Sequence, residues 1–505
     1  MTTPLVHISL QPLGKTITVE RGTSLRNVLH AYGVEFPCGG RGRCSGCRIK
    51  QIGGSLPVTT DQTDALTSAE LADGWRLACR YTADSDLVLE IGQWESVILA
   101  DHSHFEFTPR AGLGIAVDLG TTTIVAQLLD LQSGQVLAVR TAVNPQTIHG
   151  SDVMTRIQLA VDGGQHAQLV TELRHGLGTM LAKLVAAARL DAPQVTTVVI
   201  AGNTVMHHLF CGIDVTPLSR APFETAEGGP RCFRARELVW KLAGDPTVRF
   251  LPCLGGFVGS DILCGILATK MQQSATPLML VDLGTNGEIV IGNRERMLCA
   301  STAAGPAFEG GRIVMGMRAT TGAISEVTIE AGTLRCRVIG DVAPRGLCGS
   351  GLVDAVAAGL DLGLIHQSGR LANGGRALEL APPVTLVQND IRQLQLAKAA
   401  IAAGIHILQA RFGDTTDITP PLYLAGAFGN YVNRASARRI GLISAPDEQI
   451  EPAGNTALLG AKMALFANDP EDDDFHALRA RIEHVPLAAD PDFHERYIDG
   501  VAFPA

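Results

Sequence analysis

The chain has 505 residues, a formal net charge of −9 at pH 7, 46% hydrophobic residues and few aromatic ones. This length predicts about three domains, and an acidic balance without a long basic run argues against nucleic-acid binding. No apolar stretch reaches the roughly 18 to 20 residues of a membrane span, and the first residues lack the pattern of a signal peptide. We therefore expect a cytoplasmic protein that binds neither nucleic acid nor membrane.

The first predicted elements form a small mixed α and β unit. Alternating side chains at residues 6–10 and 16–19 predict a hairpin that turns at Gly14. Thr23 is placed to cap a short helix that ends at Gly33. A cysteine-rich loop follows, and residues 87–91 predict a closing strand.

Cys38, Cys44, Cys47 and Cys79 carry the strongest chemical signal. Five residues separate the first two, two separate the second from the third, and the fourth stands about thirty residues on. Thiolates at this spacing, in a glycine-rich loop that turns amide N–H groups toward sulfur, are typical of a [2Fe–2S] cluster. A zinc site uses the same ligands but usually shows two close pairs. The spacing resembles that of adrenodoxin-like ferredoxins, and with the predicted elements it indicates a β-grasp ferredoxin-like domain over residues 1–97.

A second architecture follows the N-terminal domain. Residues 98–112 predict a linker, and the alternating strands and helices beyond it predict an α/β body. The pentapeptide Val-Asp-Leu-Gly-Thr occurs twice, at 117–121 and 281–285, each time between two apolar strands. Because the copies occupy equivalent points of two α/β halves, we predict a duplicated two-lobed domain, with lobes at 113–275 and at 276–505, the latter including a C-terminal tail.

The two repeated turns have the chemistry of a phosphate site. Phosphate chains need N–H and hydroxyl donors, and a hydrated Mg²⁺ needs carboxylates nearby. Asp118 and Asp282 are the predicted catalytic carboxylates that face each other across a cleft. Glu288 is either a third acid or, equally well, a solvated edge residue. The predicted phosphate donors are Gly120, Thr121, Thr122 and Thr123 in the first lobe and Gly284, Thr285 and Asn286 in the second.

The paired turns resemble the phosphate motifs of the superfamily of acetate and sugar kinases, heat-shock chaperones and actin. Residues 424–430 resemble its adenosine motif, and residues 303–311 resemble a second loop that lines the nucleotide. This resemblance implies an actin-like, ribonuclease H-like ATPase that binds ATP and Mg²⁺. The further ATP-binding residues that it implies are Gly305, Glu309, Gly310, Gly426, Ala427, Phe428 and Gly429.

A ferredoxin-like domain joined to such an ATPase is similar to the reductive activators of corrinoid proteins. The resemblance implies ATP-dependent transfer of one electron from the [2Fe–2S] cluster to the Co(II) form of a corrinoid protein in a methyltransferase system. It also implies an upstream electron donor. Family members can carry a middle domain, for which residues 98–112 leave no room, so we expect that domain to be missing. The sequence does not decide between a monomer and a homodimer.

Three other functions stay open. Activators of radical-type dehydratases join the same ATPase fold to a [4Fe–4S] cluster shared across a dimer, but they have no N-terminal ferredoxin. A small-molecule kinase with an appended redox domain would transfer phosphate to a sugar or an acid. A plain electron carrier would keep the cluster and lack ATP hydrolysis, which the acidic residues at both turns argue against.

Overall fold

The computed structural model describes residues 4–11, 14–30, 32, 34, 47–59, 62–63, 66, 68–91, 105–150, 152–190, 194–374, 376–413, 420–429, 431–466 and 473–505. No helix in these ranges is both long enough and apolar enough to cross a bilayer.

The N-terminal domain is a small mixed sheet covered by a helix. Its elements are β1 (Leu5–Gln11), β2 (Lys15–Glu20), β3 (Thr23–Ser24), α1 (Leu25–His30), β4 (Arg48–Gly53), α2 (Ser68–Ala72), β5 (Trp75–Leu77), β6 (Thr82–Ala83) and β7 (Leu87–Ile91). The sheet has the order β2-β1-β7-β4-β5. Alternate side chains of β1 and β7 are buried, and they pack with Leu25 and Leu29 of α1. The predicted hairpin, helix and closing strand are confirmed.

The first lobe is built on a six-stranded sheet of order β10-β9-β8-β11-β13-β12. Its elements are β8 (Leu113–Leu119), β9 (Thr123–Asp130), β10 (Val136–Val143), α3 (Val153–Val161), α4 (His166–Ala187), β11 (Val195–Ala201), α5 (Thr204–Cys211), β12 (Arg231–Arg234), β13 (Thr247–Phe250) and α6 (Ser260–Ala268). A 3-10 helix, Pro145–His149, follows β10.

The second lobe is built on a sheet of order β23-β22-β14-β15-β16-β24, and β18, β17 and β19 form a small separate sheet. Its elements are β14 (Leu278–Leu283), β15 (Gly287–Gly292), β16 (Met297–Thr302), β17 (Ala323–Glu330), β18 (Thr333–Val338), β19 (Gly346–Leu347), α7 (Gly349–Asp361), β20 (Ala377–Ala381), β21 (Val384–Val387), α8 (Gln388–Phe412), β22 (Leu422–Ala425), α9 (Gly426–Gly429), α10 (Arg434–Arg439), β23 (Ile450–Gly454), α11 (Thr456–Leu465), α12 (Asp473–Ala480), β24 (Ile482–His484) and α13 (Phe493–Asp499).

The two large sheets repeat one topology. In each, the first strand pairs antiparallel with the strand that follows it and parallel with a later strand. Asp118 stands opposite Ala201 of β11, and Asp282 stands opposite Ala425 of β22. The two aspartates therefore occupy equivalent positions, and the duplicated two-lobed domain predicted from the repeated pentapeptide is confirmed.

Two helices between the sheets cross from one lobe to the other. Leu458 of α11 lies in a core with Ala116 and Val199 of the first sheet. Ile262 of α6 lies in a core with Leu280 of the second sheet. The two helices also pack on each other, and each one therefore ties its own lobe to the other lobe's sheet.

Candidate functional site

Two of the four predicted cluster ligands lie side by side. Cys47, immediately before β4, and Cys79, in the 3-10 helix Ala78–Arg80, place their Sγ atoms 3.4 Å apart with no disulfide bond. Two thiolates bound to one tetrahedral ion at about 2.3 Å would lie about 3.8 Å apart. The pair therefore fits one metal ion of a cluster. Cys38 and Cys44 lie outside the described residues.

The first predicted phosphate turn joins β8 to β9. Gly120 N–H donates to Thr123 O over 3.1 Å, and a Cβ at Gly120 would lie 2.4 Å from that oxygen, so only glycine fits. The Asn144 side-chain amide donates to Gly120 O (2.9 Å). The Asn203 amide donates to Thr121 Oγ1 (2.8 Å). The turn is therefore fixed by two asparagines that the sequence analysis did not identify.

One hydroxyl of this turn is left without a partner. Thr122 Oγ1 is buried and has no hydrogen-bond partner among the residues that the structure describes. An unpaired buried hydroxyl costs about 1–3 kcal/mol. An anionic ligand that accepted its hydrogen bond would remove this penalty, so the turn fits the phosphate oxygens of a nucleotide.

A buried arginine adds positive charge at the same turn. Arg156 is fully buried and donates to Thr121 O over 2.5 Å and to Gly150 O. Burial lowers the pKa of Arg156 to about 9, and the charges of Asp152 and Glu309 act against that fall. Glu309 belongs to the second lobe, so this electrostatic interaction joins the two lobes.

The second turn, between β14 and β15, meets the predicted loops of its own lobe. Gly284 N–H donates to Asn286 O (3.0 Å), and Thr285 Oγ1 donates to Glu309 Oε2 (2.9 Å). The neighbouring Phe308 stacks on Phe428 with ring centroids 4.6 Å apart. The sequence motifs around residues 284, 309 and 428 are therefore brought together.

The loop that resembles the adenosine motif starts at the end of β22 and continues into the short helix α9, which contains Ala427 and Gly429. Gly426 has φ 84°, and a Cβ there would lie 2.5 Å from Asp282 Oδ1. Glycine is thus required by backbone conformation and by space. Gly305 and Gly310 also have positive φ, at 80° and 77°. Gly305 has open space where a Cβ would stand, which is consistent with close approach by a ligand.

Three half-buried aspartates interact electrostatically in the cleft between the lobes. Burial raises the pKa of Asp118 to about 6, against a hydrogen bond from Asn455 Nδ2 (2.9 Å). Burial and the charge of Asp118 raise the pKa of Asp282 to about 7. Burial and the charge of Asp282 raise the pKa of Asp261 to about 8. Burial and mutual repulsion therefore disfavour the ionised carboxylates, and a nearby cation would stabilise them.

Asp261 is a site residue that the sequence analysis missed. It lies in the first turn of α6, whose N-cap is Gly259, after the glycine-rich segment that follows β13. The signal that was available is Gly259-Ser260-Asp261 at the start of an apolar helix. That pattern is common at helix starts, and only the fold brings Asp261 to Asp118 and Asp282.

Glu288 is a buried acid. Its residue surface is 7% exposed, it stands opposite Asp282 in the β14–β15 ladder, and Ser301 Oγ donates to it over 3.2 Å. Burial and the charges of Asp261 and Asp282 raise its pKa well above the usual value. The alternative of a solvated edge residue is therefore wrong. Among the described residues no three His, Cys, Asp or Glu side chains converge to hold a metal ion directly.

Comparison with known proteins gives three family matches along the chain. The model described as a 2Fe-2S iron-sulfur cluster binding domain matches residues 8–84, that of the RACo middle region matches 113–274, and that of the C-terminal domain of RACo, the ASKHA domain, matches 276–505. The "Corrinoid activation enzyme RamQ" of Eubacterium limosum is 34% identical over 441 residues, which are 81% of this chain and 74% of the relative. The chain belongs to the family of reductive activators of corrinoid proteins.

Other members of the reductive activator family agree. The "[Co(II) methylated amine-specific corrinoid protein] reductase" of Methanosarcina barkeri is 27% identical over 421 residues, which are 76% of each chain. A solved structure, "Reductive activator for corrinoid,iron-sulfur protein", is 25% identical, has a TM-score of 0.70, and covers 99% of this chain and 98% of its own. The chain therefore shares the fold of that activator along almost its full length.

The expectation that a middle domain is missing is wrong. The middle-region match at 113–274 covers the strands and helices that build the first lobe. That region therefore needs no extra room between the ferredoxin-like domain and the ATPase, and a short linker does not exclude it.

Proposed function

We propose that this protein is an ATP-dependent reductive activator that returns the Co(II) form of a corrinoid protein to Co(I). The observation that carries the proposal is one chain that holds both an adjacent thiol pair, Cys47 and Cys79, and two opposed phosphate turns. The names of the two curated relatives, a corrinoid activation enzyme and a Co(II) corrinoid protein reductase, support it.

The cysteines would hold a [2Fe–2S] cluster, with Cys38 and Cys44 completing the ligand set. When bound, the cluster supplies one electron at a low potential, near about −400 mV for plant-type centres. Co(I) is a stronger reductant than such a cluster, so the transfer runs uphill. A deficit of roughly 120 mV lowers the equilibrium constant for transfer of one electron about a hundredfold. An energy source is therefore needed, and the ATPase body provides one.

The turns would bind the phosphates of ATP. Gly120, Thr121, Thr122 and Thr123 face the ligand from the first lobe. Gly284, Thr285 and Asn286 face it from the second, with the adenosine against the 305–310 and 426–429 loops. Asp118 and Asp282 would hold Mg²⁺ through its water shell, since a hydrated ion needs no direct carboxylate contact.

The third aspartate suggests a role in hydrolysis. Asp261, whose pKa is raised to about 8 by burial and by the charge of Asp282, would accept a hydrogen bond from the attacking water and orient it. Glu288, opposite Asp282 in the β14–β15 ladder, would be a further acid of this site. ATP then drives the reaction by binding more tightly to one arrangement of the lobes, which is coupling by differential affinity.

The proposal includes a corrinoid protein of a methyltransferase system as partner, an upstream electron donor and a cytoplasmic location. It includes no nucleic acid and no membrane. A homodimer stays a prediction that light scattering of the purified protein can test.

The direct test is anaerobic mixing of the reduced protein with a Co(II) corrinoid protein, with Co(I) followed by absorbance. We expect Co(I) to form with ATP and Mg²⁺ and to form poorly without ATP. Cys79→Ser should abolish Co(I) formation. Asp282→Asn should form Co(I) as poorly with ATP as without it. Equal Co(I) formation with and without ATP would contradict the proposal.

A further inference from the structure

The N-terminal domain contacts both lobes of the ATPase. On the first lobe, the Arg26 guanidinium of α1 donates to the carbonyl oxygen of Ile148 in the 3-10 helix Pro145–His149. On the second lobe, Arg345 Nη2 lies 3.2 Å from Glu90 Oε1 of β7. Within the described residues, the cluster-bearing domain therefore has a polar contact with each of the two lobes.

The first contact lies close to the phosphate turn. Asn144 immediately precedes the 3-10 helix and caps it, because its side-chain oxygen accepts from Gln146 N–H (2.9 Å). The Asn144 backbone N–H donates to Thr122 O (2.8 Å), and its side-chain amide donates to Gly120 O. The helix that receives Arg26 is thus hydrogen-bonded to the turn that we assign to phosphate.

Arg26 also takes part in a charge network on this lobe. Glu172 of α4 pairs with His149 over 2.7 Å. Burial acts to raise the pKa of Glu172, but the hydrogen bonds from His149 and Gln168 and the charges of His149 and Arg26 hold it below its usual value. Arg26 is therefore held on the first lobe by its hydrogen bond to a backbone carbonyl, and the charge of Glu172 acts in the same direction.

The residue before Arg26 supports a cluster ligand. Leu25 N–H donates to Tyr81 O (3.0 Å), and Leu25 packs in one core with Leu77 and Ala78 beside Cys79. The first turn of α1 thus contacts the first lobe through Arg26 and the 3-10 helix that carries Cys79 through Leu25. Movement of the contact moves the cluster ligand with it.

The second contact is weak enough to be exchanged. Arg345 is anchored through its backbone N–H to Gly322 O (2.8 Å), just before β19. Its side chain is 40% exposed and that of Glu90 is 28% exposed. An ion pair in such a position changes a docked population by only about two- to fivefold and is screened by salt.

We propose that Arg26 and Arg345 are positioning residues, which hold the cluster-bearing domain across the two lobes so that nucleotide binding moves it. The two contact points on the N-terminal domain share one core and keep a fixed separation. Ile148 and Arg345 belong to different lobes, and their separation changes when the lobes rotate. Both contacts cannot persist through such a rotation, and the exposed Glu90–Arg345 pair is the one that breaks. The inference rests on the proposed function for its purpose.

The test measures the position of the N-terminal domain without using the cluster. Nitroxides on Leu5→Cys and on Ile498→Cys of α13, which are 62% and 56% exposed in the wild type, report the distance from that domain to the second lobe by pulsed EPR. The exposed Cys232 and the partly exposed Cys211 and Cys336 are replaced by serine. The oxidised full-length protein is measured with and without ATP.

We expect one narrow distance without nucleotide and a shifted distance with ATP. Glu90→Arg should broaden the nucleotide-free distribution, and the reversed pair Glu90→Arg with Arg345→Glu should narrow it again. Glu330→Arg is the matched control, because Glu330 pairs with Arg335 over the same 3.2 Å on the small sheet and away from the N-terminal domain.

The inference is overturned if Glu90→Arg gives the same distribution as Glu330→Arg, or if ATP leaves the wild-type distance unchanged. Failure of the proposed function gives a different result, namely no [2Fe–2S] signal after reduction or no Co(I) formation in a protein whose distances behave as expected. Arg26→Gln should widen the distribution in both nucleotide states, with Arg26→Lys restoring it in part.

Discussion

Replacing Asp261 with an uncharged residue is the most direct test of the three aspartates in the cleft. The substitution should stabilise the nucleotide-free protein and remove ATP turnover. The pKa of Asp261 is about 8 in the folded chain, whereas the ordinary pKa of an aspartate is 3.8. A carboxyl with a raised folded pKa contributes stability that is fully present below 3.8 and is lost as the pH rises to about 8. An asparagine at this position has no such loss.

The size of the effect follows from that shift. One pH unit within the window removes at most about 1.4 kcal/mol. Because Asp261 is only half-buried, we expect about half of this for each pH unit. Over the three units between pH 5 and pH 8 the loss is then about 2 kcal/mol. Removing its charge also lowers the pKa of Glu288, which adds in the same direction. Asp261→Asn should therefore gain stability over the wild type as the pH rises.

The assay is urea unfolding of wild type and Asp261→Asn without nucleotide or Mg²⁺ at pH 5, 6.5 and 8. ATP turnover should fall by about a hundredfold or more if Asp261 orients the water. Asp245→Asn is the control, because hydrogen bonds from Arg236 and Arg234 lower the pKa of Asp245 and its effect should be constant over this range. A variant with no pH-dependent gain in stability and with normal turnover would refute the reasoning.

Three further predictions concern single residues. Thr122→Val should leave the free energy of unfolding unchanged or raised, because the hydroxyl has no partner in the described part of the chain, and should weaken ATP binding by about tenfold or more in calorimetry. Cys79→Ser should lose the [2Fe–2S] signal and the bound iron and sulfide while ATP binding persists; a retained cluster would show that Cys79 is not a ligand. Gly426→Ala should abolish ATP binding, because its Cβ would lie 2.5 Å from Asp282 Oδ1, whereas Gly413→Ala, at a similar positive φ with open space, should cost about 1–2 kcal/mol of stability and keep binding. Equal ATP affinity in the two glycine variants would contradict the assignment of this loop.

Local chemistry in the sequence was sufficient for much of the site. Each Asp-x-Gly-Thr turn carries its own reason to form, since Gly120 and Gly284 permit tight hairpin tips and the apolar runs beside them form adjacent strands. The repeat of that pattern was enough to predict the duplicated fold. The spacing of the four cysteines was likewise enough to predict the cluster-binding domain, although only Cys47 and Cys79 fall within the described residues.

Contacts between distant parts of the chain were decided by the tertiary structure. Asn455 hydrogen-bonds Asp118 and Asp261 joins the same cluster only because α11 and α6 cross between the two sheets. The contact of Arg26 with Ile148 spans 122 positions of sequence. An asparagine, an aspartate and an arginine on helix starts are ordinary capping and surface residues by pattern. Their roles depend on which surfaces pack together, and that is set by the burial of whole sheets and helices and not by neighbouring residues.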